Sequence, residues 1–449
     1  MSQAFFKRVA IYLICLLAVV FDAMGESFAS DPRDALFFNS ENATIKVYSR
    51  NSKGEEEEKT TIGGKLFLQT DAIDTRQTNA LDARLSQQGL LFIYLDNRPS
   101  KKTRVFIKGS LLHEFNAPVD DINSQLPAFQ RDPVRLEELW LKMNFEDQYF
   151  LTLGVQPVRW GVGRIWNPTD FLNERQKDPL AIFDNRPGLP TAKLHIPNES
   201  TGTNGYFFVR PGLENRVRNT RFAARLEQIW GVSEWSLSAE TAYEEPIKIG
   251  SDFSIGVGDV DLKAEVATRT TASSRPWQGE FNLETGKLPS TGDALRYPLQ
   301  WSIGLEWGVK YDEQRTAFLT LEYFHNELGY HNNAQLYPWL FLQGEYVPLY
   351  LGVSYLGANL AFPGLGETKD HTILLSGISN LSDQTSILRF DYQVTVLTRV
   401  NISTYASVFL GELGEFYYPL TVPTELTNGE PVTVIPPSLT TGLWVSVEF

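Results

Sequence analysis

The sequence predicts an all-β protein whose strands form a transmembrane, antiparallel, up-and-down β-barrel. Three observations support this prediction. Apolar residues recur at every second position, connections between strands are alternately short and long, and the last strand ends on an aromatic residue. After residue 29 no apolar run approaches the length of a membrane-spanning helix, which excludes a helical membrane protein.

Alternation is clearest between residues 300 and 311. One face of this segment carries Trp301, Ile303, Leu305, Trp307, Val309 and Tyr311, and polar or small residues lie between them. The same pattern recurs at 386–397 and 234–243. In a barrel wall the apolar face of such a strand contacts lipid, and its polar face lines a lumen.

The connections predict the number of strands. We place strands at 62–70, 87–97, 103–116, 134–146, 149–160, 190–196, 204–210, 219–230, 234–245, 252–257, 261–270, 298–311, 315–326, 347–361, 372–381, 385–396, 400–410 and 437–449. The count is about 18, with 16 as the alternative because the strands near 190–210 and 252–257 are weak. If both termini are periplasmic, the long connections are extracellular loops and the tight turns are periplasmic.

The N-terminus predicts export from the cytoplasm. Lys7 and Arg8 precede an apolar run that ends at Phe21, so residues 1–29 have the pattern of a signal peptide cleaved before Ser30, with 23–25 as a competing site. We interpret 30–61 as a solvated periplasmic leader, the alternative being an acidic arm that meets a partner, and 62–449 as the barrel. Cys15 is the only cysteine, so the mature chain has no disulfide or thiolate site.

Charge and motifs restrict the possible functions. The net charge is -14 and the pI is near 5.0, which argues against a nucleic-acid partner because phosphate binding requires a basic surface. The histidines are dispersed, and no nucleophile, metal or phosphate-cradling motif is present. We therefore expect no enzyme, no metal and no cofactor.

The C-terminal strand predicts how the protein is assembled. Residues 443–449 alternate and end at Phe449, which resembles the signal that the outer-membrane assembly machinery recognises in barrel precursors. The expected partners are this machinery, outer-membrane lipid and lipopolysaccharide. The oligomeric state stays open.

The most distinctive segment is 154–173, GVQPVRWGVGRIWNPTDFLN. It resembles a broad group of bacterial outer-membrane barrels, similar to the alginate-export and related porin families, in which a strand ending in Trp-Gly leads to a Trp-Asn-Pro-Thr-Asp loop. The resemblance implies the barrel fold and the outer membrane of a Gram-negative bacterium. It does not identify a substrate.

The loop that follows this strand is a candidate pore constriction. Gly161 and Gly163 permit a sharp departure from the wall, and a loop that folds into the lumen would narrow it with charges of both signs. The candidate constriction residues are Arg159, Arg164, Trp166, Asn167, Asp170, Asp178, Asp184 and Arg186. The alternative is a surface loop whose charges pair with one another and with the wall.

Further charged residues fall on the polar face of predicted strands. The lumen-lining candidates are Arg104, Lys108, Arg225, Glu240, Glu306, Lys310, Glu322, Arg389 and Asp391. Because their signs are mixed, most are expected to form ion pairs between strands. The sequence thus favours a porin-like channel for a small hydrophilic or oligomeric solute. The alternatives are a plugged barrel with a surface-binding or assembly role and, less favoured, a membrane-embedded hydrolase.

Overall fold

Eighteen antiparallel strands hydrogen-bond in chain order, and the last of them pairs with the first to close a barrel. The computed structural model describes residues 44–50, 56–75, 84–115, 134–173, 176–177, 180, 186–212, 217–271, 276–282, 286–331, 334–411, 413–416, 420–422, 432–434 and 437–449. The prediction of an 18-stranded up-and-down barrel is confirmed, and the alternative of 16 strands is wrong. The weak strands near 190–210 and 252–257 are both part of the wall.

The wall strands are β2 Glu56–Thr75, β3 Arg84–Ser100, β4 Thr103–Glu114, β5 Val134–Phe145, β6 Tyr149–Gln156, β7 Leu189–Asn198, β8 Thr203–Arg210, β9 Arg221–Trp230, β10 Ser233–Ala242, β11 Lys248–Val257, β12 Val260–Arg269, β15 Leu299–Asp312, β16 Arg315–Asn326, β17 Ser354–Leu365, β18 His371–Asn380, β19 Thr385–Leu397, β20 Val400–Leu410 and β23 Pro437–Glu448. In the described residues five short strands are additional to the closed ring: β1 Thr44–Arg50, β13 Trp277–Gln278, β14 Ser290–Thr291, β21 Leu420–Val422 and β22 Val432–Val434. The described helices are Val217–Asn219, Ala334–Leu336 and Tyr337–Leu342.

The two faces of the wall differ as the alternation predicts. On β15, Ile303 is 58% exposed, whereas the neighbouring Ser302 is 2% exposed. On β10, Leu237 is exposed while Ser236 and Ser238 are buried. The large apolar side chains therefore face outward, towards lipid, and the small and polar ones face the lumen.

None of the helices in the described part of the chain has the length and apolar character needed to cross a membrane.

Short and long connections lie at opposite ends of the barrel. Turns such as 101–102, 146–148 and 313–314 close one end, and the longest connections, 157–188, 270–298 and 327–353, leave the other. The connections 243–247 and 381–384 are the short exceptions on the long-loop side. This arrangement follows the periplasmic and extracellular assignment made from the sequence.

Several strand boundaries differ from the prediction, and three of them bear on the loops and on the N-terminal segment. The strand predicted at 149–160 ends at Gln156, because Pro157 has no N–H to continue the ladder. The strand predicted at 347–361 begins only at Ser354, and a helix occupies Tyr337–Leu342 just before it. The first wall strand begins at Glu56 rather than 62, so strand structure extends into the predicted leader.

The two chain ends of the barrel meet on one edge of β2. Gly64 and Phe449 exchange backbone hydrogen bonds of 2.8 and 3.0 Å, and Lys65 pairs in register with Glu448. Strand β1 pairs with the same edge of β2 just beyond that point, where Thr44 lies opposite Gly63. The predicted signal peptide, residues 1–29, lies outside the described residues.

Candidate functional site: the inward loop and the lumen wall

The connection after β6 runs across the interior of the barrel. Its described continuous part, residues 157–173, is here called the inward loop. It leaves the wall at Pro157 and makes contacts with the lumen faces of β8, β11, β12, β15, β16 and β17. The loop therefore contacts the wall far from the strand that it leaves.

Glu265 on β12 holds the centre of the inward loop. Its carboxylate accepts hydrogen bonds of 2.7 Å from the backbone N–H groups of Val162 and Gly163. The same carboxylate accepts hydrogen bonds from Asn167 Nδ2 at 3.0 Å and from Thr169 Oγ1 at 2.8 Å. Glu265 is 3% exposed, so these donors replace its water shell.

Glu322 on β16 holds the next turn of the loop in the same way. Its carboxylate accepts the backbone N–H groups of Arg164, Ile165 and Trp166 at 2.9, 3.1 and 2.7 Å. Beside it, Arg164 Nε donates to Glu306 at 2.7 Å, and Lys263 also pairs with Glu306. Two wall carboxylates thus satisfy consecutive backbone donors that would otherwise be buried without partners.

Trp166 is the apolar anchor at the far side of the lumen. It is fully buried, its ring stacks on Phe324 at 5.5 Å, and its indole N–H donates to the Leu349 carbonyl at 3.1 Å. A side chain at Gly357 of β17 would overlap Ile165, with its Cβ 2.4 Å from Ile165 Cδ1. The wall therefore lacks a side chain where the loop docks.

A second apolar contact fixes the loop where it leaves β6. Trp160 packs edge-to-face on Phe208 of β8, with ring centroids 5.4 Å apart, and the Arg225 guanidinium lies 5.9 Å from the Trp160 ring. Asp170 accepts from Arg186 Nη1 at 2.9 Å, which joins the two limbs of the connection. The inward loop is therefore anchored at both sides of the barrel.

The structure places most of the predicted constriction residues in these anchors. Trp166 and Asn167 contact the wall, Arg164 pairs with Glu306, and Asp170 pairs with Arg186. Arg159 is exposed. Asp178 and Asp184 lie outside the described residues, and the role of the set as a constriction stays a prediction.

Most of the predicted lumen-lining residues form ion pairs with neighbours on the wall. Arg225 makes two hydrogen bonds to Asp252, at 2.6 and 3.0 Å, and Arg389 makes a similar contact with Asp391. Other pairs are Arg104 with Asp96, Lys108 with Glu138, and Glu240 with both Arg221 and Lys248. Lys310 is exposed on β15. Glu322 instead accepts from the inward loop.

Sequence reasoning missed a buried polar network at the long-loop end. Glu415 accepts from Tyr355 Oη at 2.6 Å and from Asn380 Nδ2 at 2.8 Å, and its own N–H donates to Asp383 at 2.6 Å. Tyr337 Oη donates to Asp383 at 3.1 Å. The network ties together the connections 327–353, 381–384 and 411–436.

Burial favours the protonated form of Glu415 in this network. It raises the pKa of the Glu415 carboxyl to about 7, while the hydrogen bond from Tyr355 acts in the opposite direction. The sequence of the segment 411–416, GELGEF, does not distinguish Glu415 from the neighbouring Glu412. The partners of Glu415 lie on connections that are distant in the chain.

The sequence analysis also missed Glu265, although the alternation of β12 predicts that its side chain faces the lumen. It falls on the polar side of the alternation in β12, between Ala264 and Val266. Within the described residues no group of three or more His, Cys, Asp or Glu side chains could hold a metal. His195 is hydrogen-bonded to Asn204 and His371 to Tyr392, so neither of these histidines has a carboxylate partner in those contacts.

Comparison with family models and with curated protein sequences gives no match. Among solved structures the chain is similar to OccAB4 of Acinetobacter baumannii, with a TM-score of 0.51, 8% identity, and 87% of this chain and 98% of that chain covered. It is similar to OccAB3 of the same organism, with a TM-score of 0.50, 10% identity, and 87% and 99% covered.

A third similar structure is the outer-membrane protein Wzi of Escherichia coli, with a TM-score of 0.50, 11% identity, and 86% of this chain and 84% of that chain covered. At these identities the comparisons show the fold, and the narrower likeness to the alginate-export family stays a prediction. A closed wall with an apolar outer face and the fold of the bacterial outer-membrane porins make this chain an integral outer-membrane β-barrel.

Proposed function

We propose that the protein is a porin-like channel that passes a small hydrophilic or oligomeric solute through a lumen narrowed by the inward loop. The observation that carries this proposal is the attachment of the loop to Glu265 and Glu322 on the opposite wall. A loop that merely covered the surface would have no need of buried wall carboxylates that accept its backbone donors. Held in this way, the loop restricts the cross-section at a fixed height, as a selectivity constriction must.

The lining of the lumen supports a hydrophilic solute. Ion pairs such as Arg225–Asp252 and Arg389–Asp391 present charges of both signs on the inner face. An apolar solute would have to displace water from these groups without replacing their hydrogen bonds. A hydrated or hydroxylated solute can exchange hydrogen bonds with them instead.

Reconstitution into a planar bilayer tests the proposal. The purified protein is expected to give stepwise current, and Trp166→Ala is expected to change the size of the step because it removes the loop's anchor at the far wall. Trp307→Ala on the lipid-facing side is the matched control and is expected to leave the step unchanged. Absence of current at all voltages and salt concentrations would reject the channel.

A second candidate is a barrel that binds a surface polymer and conducts nothing. It is favoured by the network around Glu415, which ties three long-loop connections to one another at the extracellular end. The Wzi structure is described as a carbohydrate-binding β-barrel involved in capsule assembly. Retention of the protein on immobilised capsular polysaccharide, together with silence in the bilayer, would favour this candidate.

A further inference from the structure

We propose that Lys142 and Lys193 form a binding site for the oxyanion group, carboxylate or phosphate, of a solute in the lumen. The proposal rests on the channel function proposed above and names the chemistry of the solute. Both lysines flank Thr152 in one row across the wall, since Lys142 pairs with Thr152 and Thr152 pairs with Lys193.

The side chains of this row face the lumen. Lys193 pairs in register with Phe208, which packs against Trp160 of the inward loop inside the barrel. The flanking residues Phe207 and Val209 are exposed on the outer face. Because side chains at register partners share a face, Lys142, Thr152 and Lys193 all point inward.

The row concentrates positive charge at a cost in stability. Arg104 lies directly opposite Lys142, and like charges at opposed positions of a sheet repel each other. Asp96 neutralises Arg104 through two hydrogen bonds of 2.8 and 2.9 Å. Among the residues that the structure describes, neither lysine makes an ion pair, and Lys142 has only the Phe150 ring, 5.2 Å away, as a compensating contact.

The spacing suits one oxyanion between the two ammonium groups. Strands are about 4.8 Å apart, so backbone positions two strands apart are separated by about 10 Å, and two lysine side chains can converge across that distance. Elsewhere on the inner wall the cations Arg225 and Arg389 already have carboxylate partners. Among the described residues Lys310 and Arg269 also make no ion pair on the inner wall, but the row of Lys142 and Lys193 places two such lysines on either side of one strand.

The aromatic residues beside the row favour an anion over an uncharged sugar. His195 and Tyr206 stack face to face, with centroids 4.4 Å apart and an angle of 8° between their planes. Each ring covers one face of the other, and Phe150 and Phe208 lie beside the same pair with centroids 5.7 Å from His195 and 6.5 Å from Tyr206, so the group offers mainly ring edges to a solute. Ring edges carry the positive part of the aromatic quadrupole and favour negative charge.

Channel block by oxyanions tests the site. Inorganic phosphate and, separately, citrate are added to chloride solutions bathing single channels of the wild-type protein, Lys142→Gln, Lys193→Gln and Lys310→Gln. The last variant removes the same charge from β15 and is the matched control. Each variant of the site is expected to raise the half-blocking concentration of at least one probe by about fivefold or more, because one charge contact is lost.

The control is expected to keep the wild-type half-blocking concentration. Equal block in the wild-type protein and in both site variants would overturn the site while leaving the channel intact. If the wild-type protein carries no current, the channel proposal fails and calorimetric titration with inorganic phosphate in detergent tests the site by itself. Binding that Lys193→Gln abolishes supports the site, and absence of binding to the wild-type protein overturns it.

Discussion

At the scale of single residues, the most telling groups are carboxylates whose partners are not cations. Glu265 and Glu322 accept backbone N–H groups, and Glu415 accepts a tyrosine hydroxyl and an asparagine amide. A buried carboxylate is tolerated when several donors converge on it. These residues therefore fix the paths of loops rather than the charge of the lumen.

The protonation of Glu415 predicts a pH dependence at the extracellular end. Its folded pKa of about 7 lies above the ordinary value of 4.5. The stability that Glu415 gives to the contacts among the three long-loop connections is therefore full below pH 4.5 and is lost as the pH rises towards 7. Hydrogen exchange of the backbone amides of 345–353, corrected for intrinsic rates, is expected to be slower at pH 5.5 than at pH 8.

Glu415→Gln is expected to abolish most of this pH difference, since the amide does not titrate. Glu345→Gln, an exposed carboxylate in the same connection, is the control and is expected to preserve it. If Glu415→Gln keeps the wild-type difference in exchange between pH 5.5 and pH 8, another group controls the contacts among these connections.

The attachment of the inward loop to Glu265 and Glu322 predicts how substitutions of these two carboxylates change the channel current. In Glu265→Gln and Glu322→Gln the new amide N–H₂ faces backbone donors, and each buried donor left without an acceptor costs about 1–3 kcal/mol. Single-channel recordings are expected to show a noisier current with larger substates in both variants. Glu240→Gln removes a wall carboxylate that pairs with Arg221 and Lys248 and is the matched control. Recordings indistinguishable from wild type in both variants would contradict the anchoring.

At the scale of elements, the inward loop shows what sequence patterns can and cannot predict. The Gly and Asn-Pro residues of 157–173 were enough to predict a loop that turns away from the wall. Its docking partners were not predictable, because Val162 and Glu265 are 103 positions apart in the chain. Alternation places Glu265 on the lumen face but does not indicate which loop reaches it.

The contrast between local pattern and long-range contact also explains where the structure places the predicted site residues. Arg164, Asn167 and Asp170 were selected for their charge or polarity, and in the structure their contacts with Glu306, Glu265 and Arg186 hold the loop. Local sequence indicates which side chains are polar. Only the closed barrel determines whether a polar group faces solvent or another part of the protein.

The docking of the loop on β17 predicts an effect of adding a side chain there. Gly357→Val is expected to displace Ile165 and Trp166, because even a Cβ would lie 2.4 Å from Ile165 and 3.0 Å from Trp166. Quenching of tryptophan fluorescence by iodide, compared with Gly357→Val/Trp166→Phe, is expected to reveal greater access to Trp166. Gly377→Val on the neighbouring strand is the control, and equal quenching in both valine variants would count against the docking.

At the scale of the whole molecule, the wall was largely predictable because alternation is imposed by lipid on one side and water on the other. The prediction failed where this constraint ends. The strand predicted at 347–361 begins only at Ser354 in the structure. The residues before it do not join the ladder, because the backbone N–H of Leu349 donates to Glu415 instead. Strand β1 was missed because it lies at the edge of the barrel.

The outer face predicts the cost of a charge in lipid. Ile303→Arg is expected to destabilise the barrel by about 2–4 kcal/mol, the cost of arginine near the bilayer midplane. Urea unfolding from lipid vesicles measures the change. Lys310→Arg, which keeps a cation on the other face of the same strand, is expected to unfold like the wild-type protein. A similar small effect in both variants would place Ile303 away from hydrocarbon.

We propose that the strand ending at Phe449 is recognised by the outer-membrane assembly machinery. Deletion of Phe449 is expected to reduce the amount of barrel with heat-modifiable mobility in outer-membrane fractions several-fold. Phe449→Tyr retains an aromatic terminus and is the control. Refolding of the purified deletion variant into vesicles at the wild-type rate would separate recognition from stability, and normal amounts in cells would reject the proposal.

The position of β1 has a consequence for the seam of the barrel. The C-terminal strand leaves the lower part of β2 uncovered, and β1 pairs with that same edge from Gly63 downwards. A bare edge of this kind is a template on which a strand of another protein can add. By occupying it, the N-terminal segment protects the closed barrel from intermolecular strand exchange at the one place where its two ends are joined.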